Sequence, residues 1–250
     1  MPTDPAAFAA LAVLVLAAAV LYSAGGHGGA SAYLALMALF GILPAESKPT
    51  ALLMNAAVTV LGTVRFARVG AVPWRLVLTL AIGSVPAAFL GGRLHLPTHV
   101  HQVVLGAALF LAAALIALSP VGREKRSPPH AVALVAIGAV LGALAGATGI
   151  GGGIFLTPLL LLSGWEDPRR TAAAAAVFIL LNSVSGIAGH VASSAAIPPS
   201  AGIFVAIAFT GALLGTWLAT KRLAPPTLRR VHALVLFVSG AKLLLEGLGT

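Results

Sequence analysis

Long apolar segments follow one another along this chain with only short polar turns between them. Apolar residues make up 59% of its 250 residues and charged residues only 8%, and the mean hydropathy is +1.04. A bilayer with about 30 Å of hydrocarbon is crossed by helices of about 20 apolar residues, whereas a soluble fold needs a charged surface. The sequence therefore predicts an all-α integral membrane protein.

The apolar segments fall into two sets of five on either side of a polar linker, residues 121–130. The first set lies near residues 6–24, 30–43, 50–66, 74–92 and 100–119, and the second near 131–147, 154–164, 171–190, 200–220 and 228–247. We interpret residues 1–250 as a single transmembrane domain built from two repeats, residues 1–120 and 131–250.

The charges predict how the two repeats are oriented. Five is an odd number, so the second repeat would enter the membrane from the side opposite to the first. If the linker is cytoplasmic, twelve of the fifteen Lys and Arg residues are cytoplasmic, and only Lys48, Arg93 and Lys242 are outside. This bias follows the positive-inside rule. We therefore predict inverted repeats, with both termini outside.

Two glycine-rich breaks occupy corresponding positions in the two repeats. They are SAGGHGGAS at residues 23–31 and GATGIGGGIFLTP at residues 146–158. The segments that follow them would be only ~21 and ~16 Å long as helices, too short to cross the membrane. Their glycine-rich N-terminal ends would point toward each other in the bilayer interior. Because helix N-termini carry free N–H groups and a positive dipole end, the breaks predict a central anion site.

The candidate substrate-binding residues are the glycines of the breaks and the polar side chains expected near them. The imidazole of His27 is expected either to contact an anion or to bond to a freed carbonyl group. The Asn, Ser and Thr residues of the third helix in each half are expected to bind the ligand or to form hydrogen bonds between helices. The full set is Gly26, His27, Gly28, Gly29, Asn55, Thr59, Thr148, Gly149, Gly151, Gly152, Gly153, Asn182 and Ser183.

The second break and the segments after it, GIGGGIFLTPLLLLSG and TAAAAAVFILLNSVSG, resemble the sulfite exporter TauE/SafE family. In that family a GxGGG stretch followed by a Pro-Leu pair opens a short helix in each half. The matching residues here are Gly149, Gly151, Gly152, Gly153, Pro158 and Leu159. The first break departs from the pattern, since it has no proline at the place of Pro158. The resemblance implies export of sulfite, sulfoacetate, a related organosulfonate or another sulfur anion across the bacterial inner membrane.

Other functional classes have less support in the sequence. The net charge of +9 lies in short loops between apolar segments, so it indicates membrane orientation and not nucleic-acid binding. The chain has no cysteine, and the loosely spaced His95, His99 and His101 have no neighbouring acid, so no metal site or cofactor is predicted. Neither a nucleophile-base arrangement nor a phosphate-loop lysine is present, which disfavours an enzyme.

The sequence thus favours a secondary transporter that moves a small sulfur-containing anion by alternating access. Two alternatives use the same features: a passive anion channel, and a membrane subunit of a sulfur-metabolism complex that does not itself transport. The expected partners are the small anion and the lipid bilayer, and the chain could form a homodimer.

Overall fold

A computed structural model describes residues 4–24, 28–118, 126–219, 237–238 and 240–249 of the chain. All regular secondary structure in these residues is helical. The helices are α1 Pro5–Ala24, α2 Ala30–Leu39, α3 Pro44–Arg68, α4 Trp74–Arg93, α5 Thr98–Leu118, α6 Ala131–Thr148, α7 Gly153–Ser163, α8 Pro168–Ala192 and α9 Ala201–Ala219. Residues 240–248 are helical as well and are called the C-terminal segment below.

These helices confirm the all-α membrane class and nine of the predicted apolar segments. Five helices, α1, α3, α4, α6 and α8, are long and apolar enough to cross a membrane. The helices that follow the glycine breaks are short, as predicted: α2 has 10 residues and α7 has 11, which corresponds to ~15 and ~17 Å. Much of the last predicted segment, residues 228–247, lies outside the described residues.

Helix α3 begins at Pro44, six residues before the predicted start at residue 50. Its first turn is polar, and such a composition predicts a loop between apolar segments. Ser47 and Lys48 are nevertheless buried in this turn, each 5% exposed. A proline in the first helical turn lacks an N–H group that would have had no intrahelical partner there. The sequence placed Lys48 at the outer surface, but the structure buries it between helices.

Glycines allow two pairs of helices to pack closely. Gly138, Gly142 and Gly146, spaced by four residues on α6, lie so close to α4 that an added Cβ would meet its backbone. Helices α1 and α9 pack in the same manner, since a Cβ on Gly211 would lie 2.8 Å from the carbonyl oxygen of Leu16. In lipid, where helices gain little from burying apolar surface, such close contact is a main source of association.

The two halves of the chain make matching helix contacts, in which α1, α2, α3 and α4 correspond to α6, α7, α8 and α9. Helix α4 packs on α6 as α9 packs on α1, α8 packs on α4 as α3 packs on α9, and α7 packs on α8 as α2 packs on α3. The third helices of the two halves, α3 and α8, pack against each other. This correspondence is what two equivalent repeats would produce, while their opposite orientation in a membrane stays a prediction.

Most of the charged residues and histidines of the helices lie at two opposite ends of the bundle. We call one end the arginine face; its residues are Arg65, Arg68, Arg75, Arg169 and Arg170. We call the other end the histidine face; its residues are Lys48, Arg93, His95, His99, His101 and His190. Contacts join different helices at each face: the Arg65 guanidinium donates to the carbonyl oxygen of Thr216 at 3.2 Å, and the rings of His95 and His190 are 5.9 Å apart.

Candidate anion-binding site

The side chain of Asn55, on α3, joins the two glycine breaks. Its Oδ1 accepts the backbone N–H of Ala30 at 3.0 Å, at the start of α2, and its Nδ2 donates to the carbonyl oxygen of Ile150 at 2.9 Å. Asn55 is 1% exposed. The two breaks, which are far apart in the sequence, therefore meet at one buried amide group.

Two glycines lie directly against this amide, one from each break. A Cβ added to Gly28 would collide with Asn55 Oδ1. A Cβ added to Gly151 would lie 2.5 Å from Asn55 Nδ2 and 2.9 Å from Ser183 Oγ. Gly151 also has a φ of 79°, in the left-handed region that L side chains disfavour. Glycine is therefore needed at position 151 both for the backbone conformation and for space.

The second break presents backbone N–H groups at the start of α7. Gly149, Gly151 and Gly152 have φ values of 85°, 79° and 84°, and Gly152 caps the helix. The N–H groups of residues 151–154 have no hydrogen-bond acceptor among the residues that the structure describes. Free N–H groups at the positive end of a helix attract an anion. This part of the chain thus has the geometry of an anion cradle.

Ser183 lies beside these donors, and its hydroxyl group has no partner among the described residues. Its Oγ is buried and forms no hydrogen bond with any described residue. Asn182 is similar: its Nδ2 donates to the carbonyl oxygen of Phe178 at 2.8 Å, while its Oδ1 is buried and has no partner in the described part of the chain. Buried polar atoms almost always have a partner, because leaving one unpaired costs about 1–3 kcal/mol. The Ser183 hydroxyl is therefore available to a ligand or a water molecule.

The side-chain hydroxyl groups of Thr59 and Thr148 form hydrogen bonds with backbone groups of the protein. Thr59 Oγ1 donates to the carbonyl oxygen of Asn55 at 2.6 Å, and its methyl group faces Gly28. Thr148 Oγ1 donates to the carbonyl oxygen of Leu144 at 2.6 Å and accepts the N–H of Ile150 at 3.4 Å. Both hydroxyl groups thus stabilise the helices at the site and do not offer a donor to a ligand in this structure.

The other glycines of the second break face apolar or aliphatic neighbours. A Cβ on Gly152 would lie 2.9 Å from the ring of Phe178, and one on Gly153 would collide with Ile179. A Cβ on Gly149 would lie 3.1 Å from the Lys48 Cγ. A substitution at Gly152 would therefore disturb packing first, and Gly151 is the position that tests the polar site. The first two residues of the predicted set, Gly26 and His27, lie outside the described residues.

A tyrosine beside the first break was not predicted. Gly29 caps α2 with a φ of 92°, and a Cβ there would lie 2.8 Å from the Tyr33 hydroxyl, which is buried and unpaired among the described residues. Ser31 Oγ donates to the Tyr22 hydroxyl at 3.4 Å. The signal was present in the sequence, because the chain has only two tyrosines and they flank this break.

The two halves differ at the centre of the site. In the register that sets Gly29 opposite Gly153, Asn55 corresponds to Ile179. Asn55 contacts both breaks through its amide, whereas Ile179 packs its aliphatic side chain against Gly151 and Gly153. The polar side chain that joins the breaks is therefore supplied by the first half alone.

The site is closed to solvent in this structure. Asn55 is 1% exposed, and Asn182 and Ser183 are 0% exposed. An anion would need the surrounding helices to separate on one side before it could reach the N–H groups of residues 151–154.

Comparison with known proteins identifies the family of the chain. The sequence profile of the family described as Sulfite exporter TauE/SafE matches residues 11–243. "Probable membrane transporter protein y4hK" of Sinorhizobium fredii (strain NBRC 101917 / NGR234) is 39% identical over 240 residues, covering 94% of this chain and 97% of the relative. "Probable membrane transporter protein YjnA" of Bacillus subtilis (strain 168) is 29% identical over 237 residues, covering 88% and 92%. No solved structure matches. The chain therefore belongs to the TauE/SafE sulfite exporter family of multi-pass membrane transporters.

Proposed function

We propose that the chain is a secondary carrier that exports a small sulfur oxyanion or organosulfonate, such as sulfite, across the bacterial inner membrane. The observation that carries the proposal is the pair of hydrogen bonds through which Asn55 joins both glycine breaks. The positive ends of α2 and α7 meet at this amide, so an anion placed there benefits from both helix dipoles. It would accept hydrogen bonds from the free N–H groups of residues 151–154 and from Ser183.

The donors of the proposed site are neutral, which suits a carrier that must release its substrate. Lys48 is the cation whose stem lies beside the second break, but its ammonium group donates to the carbonyl oxygens of Gly91, Gly92 and Leu94. These bonds place its charge at the C-terminal end of α4. Binding through backbone N–H and hydroxyl groups would be selective without being so tight that the anion is trapped.

The closed site supports a carrier over a passive channel. A channel needs a continuous path, whereas a carrier exposes a buried site to one side at a time. The near-zero exposure of Asn55 and Ser183 fits a state of such a carrier in which the site is occluded. In this proposal the arginine face is cytoplasmic and the histidine face is external, in keeping with the positive-inside rule.

Transport by the purified protein in liposomes tests the proposal. We expect saturable flux of radiolabelled sulfite that is accelerated by unlabelled sulfite on the opposite side. Gly151→Ala should lower this flux by about tenfold or more, since a loss of ~1.4 kcal/mol of binding already has that effect. Flux that neither saturates nor responds to counter-flow would indicate a channel, and a complete lack of flux would indicate a subunit that does not transport.

Gly70→Ala is the matched control for this substitution. Gly70 has a φ of 64°, comparable to that of Gly151, but a Cβ there would meet nothing within 4 Å. The control therefore reproduces the backbone strain of Gly151→Ala without crowding the site. Normal sulfite flux in Gly151→Ala, or an equal loss in both variants, would contradict the assignment of the site.

A further inference from the structure

A second cavity opens on the histidine face, away from Asn55. Its volume is about 620 Å³, and its walls come from the C-terminal part of α2, the first turns of α3 and α5, and the C-terminal segment. Most of the wall is apolar. Its polar lining residues are Ser47, Thr98, His101, Gln102 and Glu246.

His101 gives this cavity an unsatisfied polar group. The residue is 3% exposed, and its Nε2 has no hydrogen-bond partner among the described residues. Nε2 of an imidazole can carry a proton and donate a hydrogen bond, in the neutral or the charged form. Because a buried polar atom without a partner is costly, a ligand that pairs with Nε2 would gain affinity.

The charges around His101 are compatible with an anion as that ligand, which is the class of ligand in the proposed function. The carboxylate of Glu246 is already paired: Lys242 Nζ lies 3.2 Å from Oε1, and Gln102 Nε2 donates to Oε2 at 3.4 Å. Glu46 and Lys48 carry opposite charges in the first turns of α3, next to the cavity wall. The formal charges near the cavity are thus balanced, Glu246 by Lys242 and Glu46 by Lys48, so an oxyanion that accepts from His101 meets no excess of negative charge among the described residues.

Helix α2 connects this cavity with the central site. Its first residue, Ala30, donates its N–H to Asn55, and Leu34, about one turn later, lines the cavity. The distance along the helix axis is only ~6 Å. An anion leaving the central site along α2 toward the histidine face would therefore reach the cavity wall within one helical turn.

We propose that this cavity is a second binding site for the same class of small oxyanion, at the external end of the pathway, with His101 as its principal donor. The inference rests on the proposed function for its ligand and direction, and it adds a site and a residue to them. An anion bound at His101 would be held outside the closed central site and released from there to the external solution.

The number of sulfite ions bound per chain tests this inference directly. Equilibrium dialysis of the purified full-length protein with radiolabelled sulfite should give two ions per chain. His101→Leu should bind one, because leucine fills similar space without a donor, and Gly151→Ala should also bind one, at the cavity. His99→Leu is the matched control: His99 is exposed on the same face, and two ions should remain.

The outcomes separate the second site from the central site. One ion in the unsubstituted protein that is lost in Gly151→Ala, but kept in His101→Leu, overturns the second site and leaves the carrier proposal intact. One ion that is lost only in His101→Leu supports the cavity and overturns the central site. No bound sulfite overturns both.

A further variant distinguishes loss of the His101 donor from misfolding. His101→Gln keeps a side-chain N–H donor, so it should retain the second ion with weaker affinity. If His101→Gln and His101→Leu lose the ion equally while their thermal unfolding matches the parent protein, His101 is not the donor and the inference fails.

Discussion

The amide of Asn55 performs two tasks at once. It accepts a hydrogen bond from the start of α2 and donates one to the loop before α7. A carboxylate of the same shape could accept from Ala30 but could not donate to Ile150, since an ionised carboxylate has no donor.

Asn55→Asp is therefore expected to weaken sulfite binding by about tenfold or more, because it adds negative charge next to an anion and removes the bond to Ile150. Isothermal titration of the purified variant with sulfite would measure the loss. Unchanged affinity in a folded Asn55→Asp protein would exclude Asn55 from the binding site.

Two serines on α8, one without a described partner and one with a partner, allow a controlled comparison. Ser183 Oγ has no described partner, whereas Ser185 Oγ, two residues later, donates to the carbonyl oxygen of Val85 at 2.6 Å. Ser183→Ala should leave stability without ligand nearly unchanged and reduce the stabilisation that sulfite provides. Ser185→Ala should instead cost about 1 kcal/mol of stability and leave sulfite affinity unaltered.

Thermal unfolding of both serine variants over a sulfite concentration series distinguishes these effects, since a ligand that binds only the folded state raises its stability. If sulfite stabilised Ser183→Ala as much as the parent protein, the Ser183 hydroxyl would not contact the ligand.

At the scale of helices, the contact between α4 and α6 depends on the absence of side chains. Gly142 on α6 lies against the backbone of Ser84 on α4, where a Cβ would collide. Gly142→Leu should therefore prevent the helices from packing and reduce the yield of monodisperse protein severely. Gly202→Leu on α9 is the control, because nothing lies within 4 Å of a Cβ there.

Size-exclusion chromatography of fluorescently tagged variants in detergent measures this effect. A normal elution profile for Gly142→Leu would show that the helices can separate without loss of the fold. Such a result would show that the fold does not depend on the close contact between α4 and α6.

Hydropathy and glycine placement predicted the helices well, because both signals are local. The segments near residues 74–92 and 131–147 became α4 and α6 with boundaries within one residue. The polar first turn of α3 was missed, since its burial depends on helices far away in the sequence: Lys48 donates to Gly91, 43 residues later. A local reading of charge places such a lysine at the surface.

The candidate site was predicted only in part, because some of its contacts join residues that are far apart in the sequence. The glycine breaks and Asn55 stand out in an apolar sequence, and the structure brings Gly28, Asn55, Gly151 and Ser183 together. The two tyrosines that flank the first break were the only sequence signal for Tyr33, and the burial of His101 follows only from tertiary packing. Neither residue lies in a pattern that sequence periodicity can detect.

At the scale of the whole molecule, the orientation of the bundle can be tested with introduced cysteines. The natural chain has none, so each introduced thiol reports alone. Ala196 follows α8 at the histidine face, and Val69 follows α3 at the arginine face; both are exposed. In intact cells, Ala196→Cys should react with a membrane-impermeant maleimide, and Val69→Cys should react only after the membrane is opened.

The reverse labelling pattern would invert the proposed topology and place the cavity of His101 on the cytoplasmic side. Labelling of both positions in intact cells, with an impermeant reagent and sealed membranes, would be incompatible with any arrangement in which the two faces lie on opposite sides.

The difference between Asn55 and Ile179 bears on how such a chain could have arisen. A gene that duplicates and fuses starts with identical halves, and a bundle of identical halves has no preferred resting state, because its two open forms are equivalent by symmetry. Once one half carries an amide and the other a branched alkane, that equivalence is lost and one form becomes more populated than the other. We expect that a single ancestral substitution at this position was enough to make a symmetric exchanger favour one of its two open forms.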